Sequence, residues 1–95
     1  MRTTKDMDYI YTLDGQEILI EDRQKAVRAD IIGQYAACRK RKKMTQEELS
    51  IRAGISRPNI SRFESGNYNP SLEMMVRMAA ALDMSLEIKL KDNNA

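Results

Sequence analysis

Arg57, Asn59 and Arg62 are the side chains in this sequence whose type and spacing best suit chemical recognition. An arginine can donate two hydrogen bonds to the edge of guanine, and an asparagine can pair with adenine. Ile60 and Phe63 lie among them, three residues apart, so in a helix they form one buried edge. That leaves Arg57, Pro58, Asn59, Ser61 and Arg62 for the other faces. Reactions are less well provided for. The chain has no histidine, which removes the usual proton shuttle, the commonest metal ligand and zinc-finger chemistry. Its one cysteine, Cys38, has no partner for an internal disulfide and no histidine to activate it, so it reads as a small buried hydrophobe. Glu47 and Glu48 are adjacent, and adjacent helical side chains diverge, so they make no acid/base pair. No enzymatic activity, no cofactor and no metal is expected.

The flanking residues specify how such a helix would be held. In TQEEL at 45–49 a threonine stands three residues before Glu48, a capping box that satisfies the free N–H groups of a helix start. Leu49 and Ala53 face inward, and Gly54 can close the helix in a left-handed conformation. Ile55 follows as an apolar link. Ser56 is placed to cap the next helix, Pro58 falls in its first turn, where a missing N–H costs little, and Ser65 and Gly66 stop it. Two short helices joined by a three-residue turn form a helix-turn-helix arrangement. In that geometry the first helix (45–53) lies across a DNA backbone and braces the second (56–65) in a major groove about 12 Å wide.

The rest of the chain must build the body behind this pair. Ninety-five residues support one modest core. In the extension 1–22, Tyr9, Tyr11 and Leu13 alternate with polar or smaller partners before Asp14 and Gly15, a turn signal for a β-hairpin. Gln16 to Ile20 reads either as its second arm or as the opening of a helix. From about Arg23 to about Arg41, Val27, Ile31, Ile32, Tyr35 and Ala36 recur at spacings of three and four and predict an amphipathic helix. After the turn NYNP at 67–70, Ser71 caps a helix carrying Leu72, Met75, Val76, Met78, Ala79 and Leu82. The final SLEIKLK alternates with a period of two, which predicts a half-buried strand within a C-terminal strand and tail over 85–95. The expected fold is mainly α, a bundle of four to five helices over 23–84 with short β elements at both termini.

Composition narrows the partners. The chain is 42% hydrophobic and 32% charged, a balance that suits a compact domain. Its apolar stretches fall below the roughly 20 residues needed to cross a bilayer, and the N-terminus has no signal-peptide pattern, so no membrane contact and a cytoplasmic location are expected. The net charge is only +2, yet residues 39–62 alone hold eight basic and two acidic groups. Such a concentration either faces a polyanion or, in RKRKK at 39–43, decorates the C-terminus of a helix, whose dipole favours cations.

The stretch from about Ile31 to Leu86 resembles the Xre family of helix-turn-helix regulators, the group of lambdoid-phage repressors and Cro proteins. TQEEL, AGIS, NISRFESG and NPSLEMM fall in the order and spacing of that family. The resemblance implies a lambda-repressor-like fold and a dimeric transcriptional repressor that binds double-stranded DNA at an inverted repeat. It assigns base reading to Arg57, Pro58, Asn59 and Arg62, with Pro58 limited to a thymine methyl. It assigns phosphate contacts to Gln46, Ser61, Ser65, Asn67 and Tyr68, with Lys40 and Lys43 adding backbone attraction. It also implies a structural pair between Arg39 and Glu64. Asp83 departs from the family, which commonly has glycine there, and a strand replaces its frequent fifth helix. The N-terminal extension, long first helix and C-terminal strand are similar to HigA-type antitoxins, repressors that also bind a toxin protein.

Overall fold

The computed structural model describes residues 8–93, so residues 1–7 of the N-terminal extension and the last two of the tail lie outside the described residues. The elements are β1 (Tyr9–Tyr11), β2 (Glu17–Leu19), α1 (Ile20–Arg41), α2 (Gln46–Ala53), α3 (Arg57–Ser65) and α4 (Leu72–Ala81). The hairpin forms as the Asp-Gly signal implies. Its strands are antiparallel, with Tyr9 opposite Leu19 and Tyr11 opposite Glu17. Gly15 takes a φ of 88°, and its N–H donates to the Thr12 carbonyl at 3.0 Å. Both readings of residues 16–20 hold in part, because β2 ends at Leu19 and the helix starts at Ile20 without a break. No side chain caps that start. The Ile20 N–H donates instead to the Asp8 carbonyl at 2.7 Å, so the hairpin itself supplies an acceptor to the helix.

Helix α1 is 22 residues long, about 33 Å at the usual rise. Glu21 and Asp22 lie in its first turn and Arg39, Lys40 and Arg41 in its last, charges that oppose the helix dipole at both ends. Its C-terminus closes in a Schellman motif. Lys43 occupies the left-handed position at φ 56°, its N–H donates to the Lys40 carbonyl, and the Met44 N–H donates to the Arg39 carbonyl. Helix α4 closes in the same way around Asp83 at φ 60°, with Asp83 N–H on the Ala80 carbonyl and Met84 N–H on the Ala79 carbonyl. The left-handed region disfavours a residue with a Cβ, by less for aspartate than for most. Asp83→Gly is therefore expected to raise stability by about 0.5 kcal/mol, roughly 2–4 °C in a thermal melt. A lowered midpoint would show that the aspartate side chain contributes more than its backbone costs.

Ile32, Tyr35, Cys38, Leu49, Ala53, Ile60, Phe63, Met74, Met78, Ala79 and Leu82 form the core. Cys38 is a buried free thiol, as its reading as a small hydrophobe requires. Three expected core positions are corrected. Val27 is exposed because α1 enters the core through Ile32, Tyr35 and Cys38 in its C-terminal half, and Leu72 and Val76 are exposed because α4 packs through Met74, Met78 and Ala79 instead. The C-terminal strand is corrected as well. Residues 84–91 carry no strand, since the sheet among the described residues is the β1–β2 pair and an alternating segment without a neighbour has no ladder to join. Leu86 still packs partly against the core, while Ile88 and Leu90 face solvent. No helix is long and apolar enough to cross a membrane among these residues.

Candidate nucleic-acid interface

The pair α2–α3 is set by its caps. The Thr45 hydroxyl accepts from the Glu48 N–H at 3.0 Å, and the Glu48 carboxylate accepts from the Thr45 N–H at 3.2 Å, the predicted reciprocal box. Gly54 ends α2 at φ 67° and ψ 36°. A Cβ there would also stand 3.3 Å from the Arg77 guanidinium, which reaches the Ala53 carbonyl at 3.4 Å. Ser56 occupies the N-cap position of α3 in extended conformation, but its side chain makes no capping hydrogen bond. Its hydroxyl's expected role is thus not filled, and the Ser50 hydroxyl tightens the turn by donating to the Ile55 carbonyl.

Helix α3 divides as its pattern predicts. Ile60 and Phe63 are fully buried, and the Phe63 ring meets Tyr35 edge to face at 5.3 Å between centroids. Arg57, Pro58, Ser61 and Arg62 are exposed, and Asn59 is half-buried. Two side-chain clusters flank this surface. In the first, Arg62 donates to the side-chain amide oxygen of Asn59 and lies 5.7 Å from the Tyr68 ring centroid, a cation–π contact. The Ser65 hydroxyl donates to the Arg62 carbonyl at 2.7 Å and accepts a long contact from the Asn67 N–H. Arg62, Asn59, Tyr68, Ser65 and Asn67 are thereby brought together. Arg57, Pro58 and Ser61 stand outside this cluster.

The second cluster ties three helices. Arg39 on α1 grips the Glu64 carboxylate of α3 through Nε at 2.8 Å and Nη2 at 3.0 Å, and its Nη1 donates to the Met44 carbonyl at 2.8 Å. Gln46, at the start of α2, donates from Nε2 to the same carboxylate at 3.1 Å. Both charged side chains are only 12% exposed. Burial pushes the Glu64 carboxyl up, but hydrogen bonds from Arg39 and Gln46 and the charges of Arg39 and Lys40 outweigh it and hold it below the usual range. The Glu64 hydrogen bond holds the Arg39 guanidinium more basic than usual, against the opposing effect of burial. Gln46 retains a second amide N–H beside a helix N-terminus, where the dipole favours an anion. Lys40 is exposed near this cluster, and Lys43 is exposed on the α1–α2 turn.

Sequence reasoning passed over several positioning contacts. The Tyr35 hydroxyl donates to the Met75 carbonyl at 2.7 Å, and burial raises the phenol above its usual range. Gln24 and Arg28 both donate to the Asn69 side chain, pinning the loop after α3 to α1. These partners are 40 or more residues apart in sequence, and no local pattern signals them. The stacking of Arg62 on Tyr68 gave a faint signal only, a basic and an aromatic residue on either side of a turn.

Comparison with known proteins matches residues 36–89 to the helix-turn-helix family. The HTH-type transcriptional regulator YqaE of Bacillus subtilis (strain 168) is 37% identical over 54 residues, 57% of this chain and 47% of that one. Antitoxin HigA1 of Mycobacterium tuberculosis (strain ATCC 25618 / H37Rv) is 33% identical over 72 residues, 76% of this chain and 47% of that protein. The chain thus spans about half the length of these curated relatives. Among solved structures, the restriction-modification controller protein C.AhdI from Aeromonas hydrophila superposes with a TM-score of 0.60 at 28% identity, over 63% of this chain and 91% of that one. With the family matched across more than half its length and the two-helix geometry in place, this chain belongs to the helix-turn-helix family of Cro/C1 (Xre) type.

Proposed function

We propose that this chain is a sequence-specific, double-stranded-DNA-binding transcriptional regulator, a dimeric repressor that reads an inverted repeat with α3. One observation carries the reading: α3 buries Ile60 and Phe63 completely while leaving Arg57 and Arg62 exposed. Arg57, Asn59 and Arg62 supply the hydrogen bonds to base edges, and Pro58 contributes at most an apolar contact to a thymine methyl. Gln46, Ser61, Ser65, Asn67, Tyr68, Lys40 and Lys43 attract and align the phosphate backbone. The unit that does this is residues 23–84. One such helix covers few base pairs, so two copies with recognition helices about 34 Å apart supply useful specificity. Occlusion of the operator then represses without any catalytic step.

The test is selection of bound duplexes from a random pool, followed by titration of variants on the selected site. Arg57→Ala and Arg62→Ala should each cost about 1–3 kcal/mol and relax base preference, while Lys40→Ala should weaken all duplexes alike and lower the salt dependence. Equal losses on selected and scrambled DNA for all three would overturn the readout assignment.

A second reading is favoured by the likeness to HigA1, which extends over 76% of this chain and so beyond the two-helix motif. In that reading the chain is also an antitoxin that binds and neutralises a ribonuclease-like toxin and represses its own operon. A small basic protein encoded beside it and co-purifying with it would support this role, and the lack of one would remove it.

A further inference from the structure

The segment after α4 leaves the domain anchored at one end and uncovered at the other. The Met84 N–H holds to the Ala79 carbonyl at 2.8 Å and Leu86 packs partly on the core, but Ile88 is 66% exposed and Leu90 fully so. In extended conformation Leu86, Ile88 and Leu90 share one face, with Glu87, Lys89 and Lys91 on the other.

We propose that residues 85–91 pair as an antiparallel ladder with the same residues of a second copy, centred on Ile88. This inference rests on the dimeric reading above and names its surface. Charge complementarity selects both partner and register. With Ile88 on the two-fold axis, Glu87 of each copy faces Lys89 of the other, and Leu86 faces Leu90. Centring on Glu87 or on Lys89 instead sets like charges directly opposite one another, as does parallel pairing in register, and like charges opposite one another are destabilising. The apolar face has somewhere to go. A cleft of about 350 Å³ beside Leu86 is lined by Tyr35, Cys38, Ala79, Leu82 and Met84, and Leu90 of the second copy is brought to it. The ladder also gives partners to backbone groups that an unpaired strand leaves bare.

Sedimentation velocity of the full chain without DNA tests this. The native chain should be dimeric. Glu87→Lys sets lysine against lysine twice, and Lys89→Glu sets glutamate against glutamate twice, so each should raise the dimer Kd roughly tenfold or more. The double variant Glu87→Lys/Lys89→Glu should return it to within about threefold of the native value. Under mild oxidation Ile88→Cys should form an interchain disulfide, since residues directly opposite in a ladder have Cα atoms at bridging distance, while the native chain, with Cys38 buried, should not. These positions are exposed, so folding should survive each change. A dimer unaffected by both single variants would overturn this surface while leaving the dimeric reading standing. A monomer at every concentration would overturn both.

Discussion

Arg39→Met is expected to lower the unfolding free energy at neutral pH by about 3 kcal/mol, because it strands the Glu64 carboxylate in a largely buried site without its charge partner. Gln46 alone cannot replace two guanidinium bonds. Such a loss is a large fraction of the total for a domain of this size. The double variant Arg39→Met/Glu64→Met should recover most of it, since a well-packed apolar pair often matches a buried ion pair. The acid side gives an independent check. The folded Glu64 carboxyl lies below its ordinary value of 4.5, so its contribution is present in full above that pH and is lost as the pH falls through the lower folded value. Urea midpoints should therefore fall below about pH 4.5 more steeply in the native chain than in Glu64→Gln. Parallel curves would show that the pair adds nothing to folding.

Phe63→Ala should cost about 3–5 kcal/mol, the largest single loss expected in this chain. The ring is fully buried, and it contributes the edge-to-face contact with Tyr35, worth about 1 kcal/mol beyond area alone. Phe63→Leu keeps most of the volume and should cost only about 1.5 kcal/mol. The functional consequence follows from where Phe63 sits. It is the inner anchor of the helix whose outer face carries Arg57 and Arg62, so the alanine variant should lose DNA binding in parallel with folding. The leucine variant should retain base preference. A leucine variant that folds well but binds all duplexes equally would show that the aromatic contact orients α3 as well as stabilising it.

The local grammar of this fold was legible. The Thr45–Glu48 box, the Ser71 cap, the left-handed Gly54 and the split of α3 into apolar and polar edges all follow from interactions within four residues of one another. Ser71 caps α4 as read, with its hydroxyl accepting from the Met74 N–H at 3.0 Å. Where the reading failed, the deciding contact was distant. Val27, Leu72 and Val76 have core-like spacing, yet α1 and α4 turn other residues to the core and leave these in solvent. The alternation in 85–91 is that of a strand, but a strand exists only where a neighbour completes its ladder.

The amino-acid sequence by itself determined that residues 45–65 form two capped helices around a glycine turn and that the second exposes arginines, because caps, turns and periodicity act over one or two helical turns. Only the tertiary structure decided that Arg62 rests on Tyr68 beside Asn59, that Gln46 joins the expected Arg39–Glu64 pair, and which apolar residues are covered. Those outcomes depend on how separate helices cross, and a crossing is fixed by the packing of all the side chains between them rather than by any one stretch of chain.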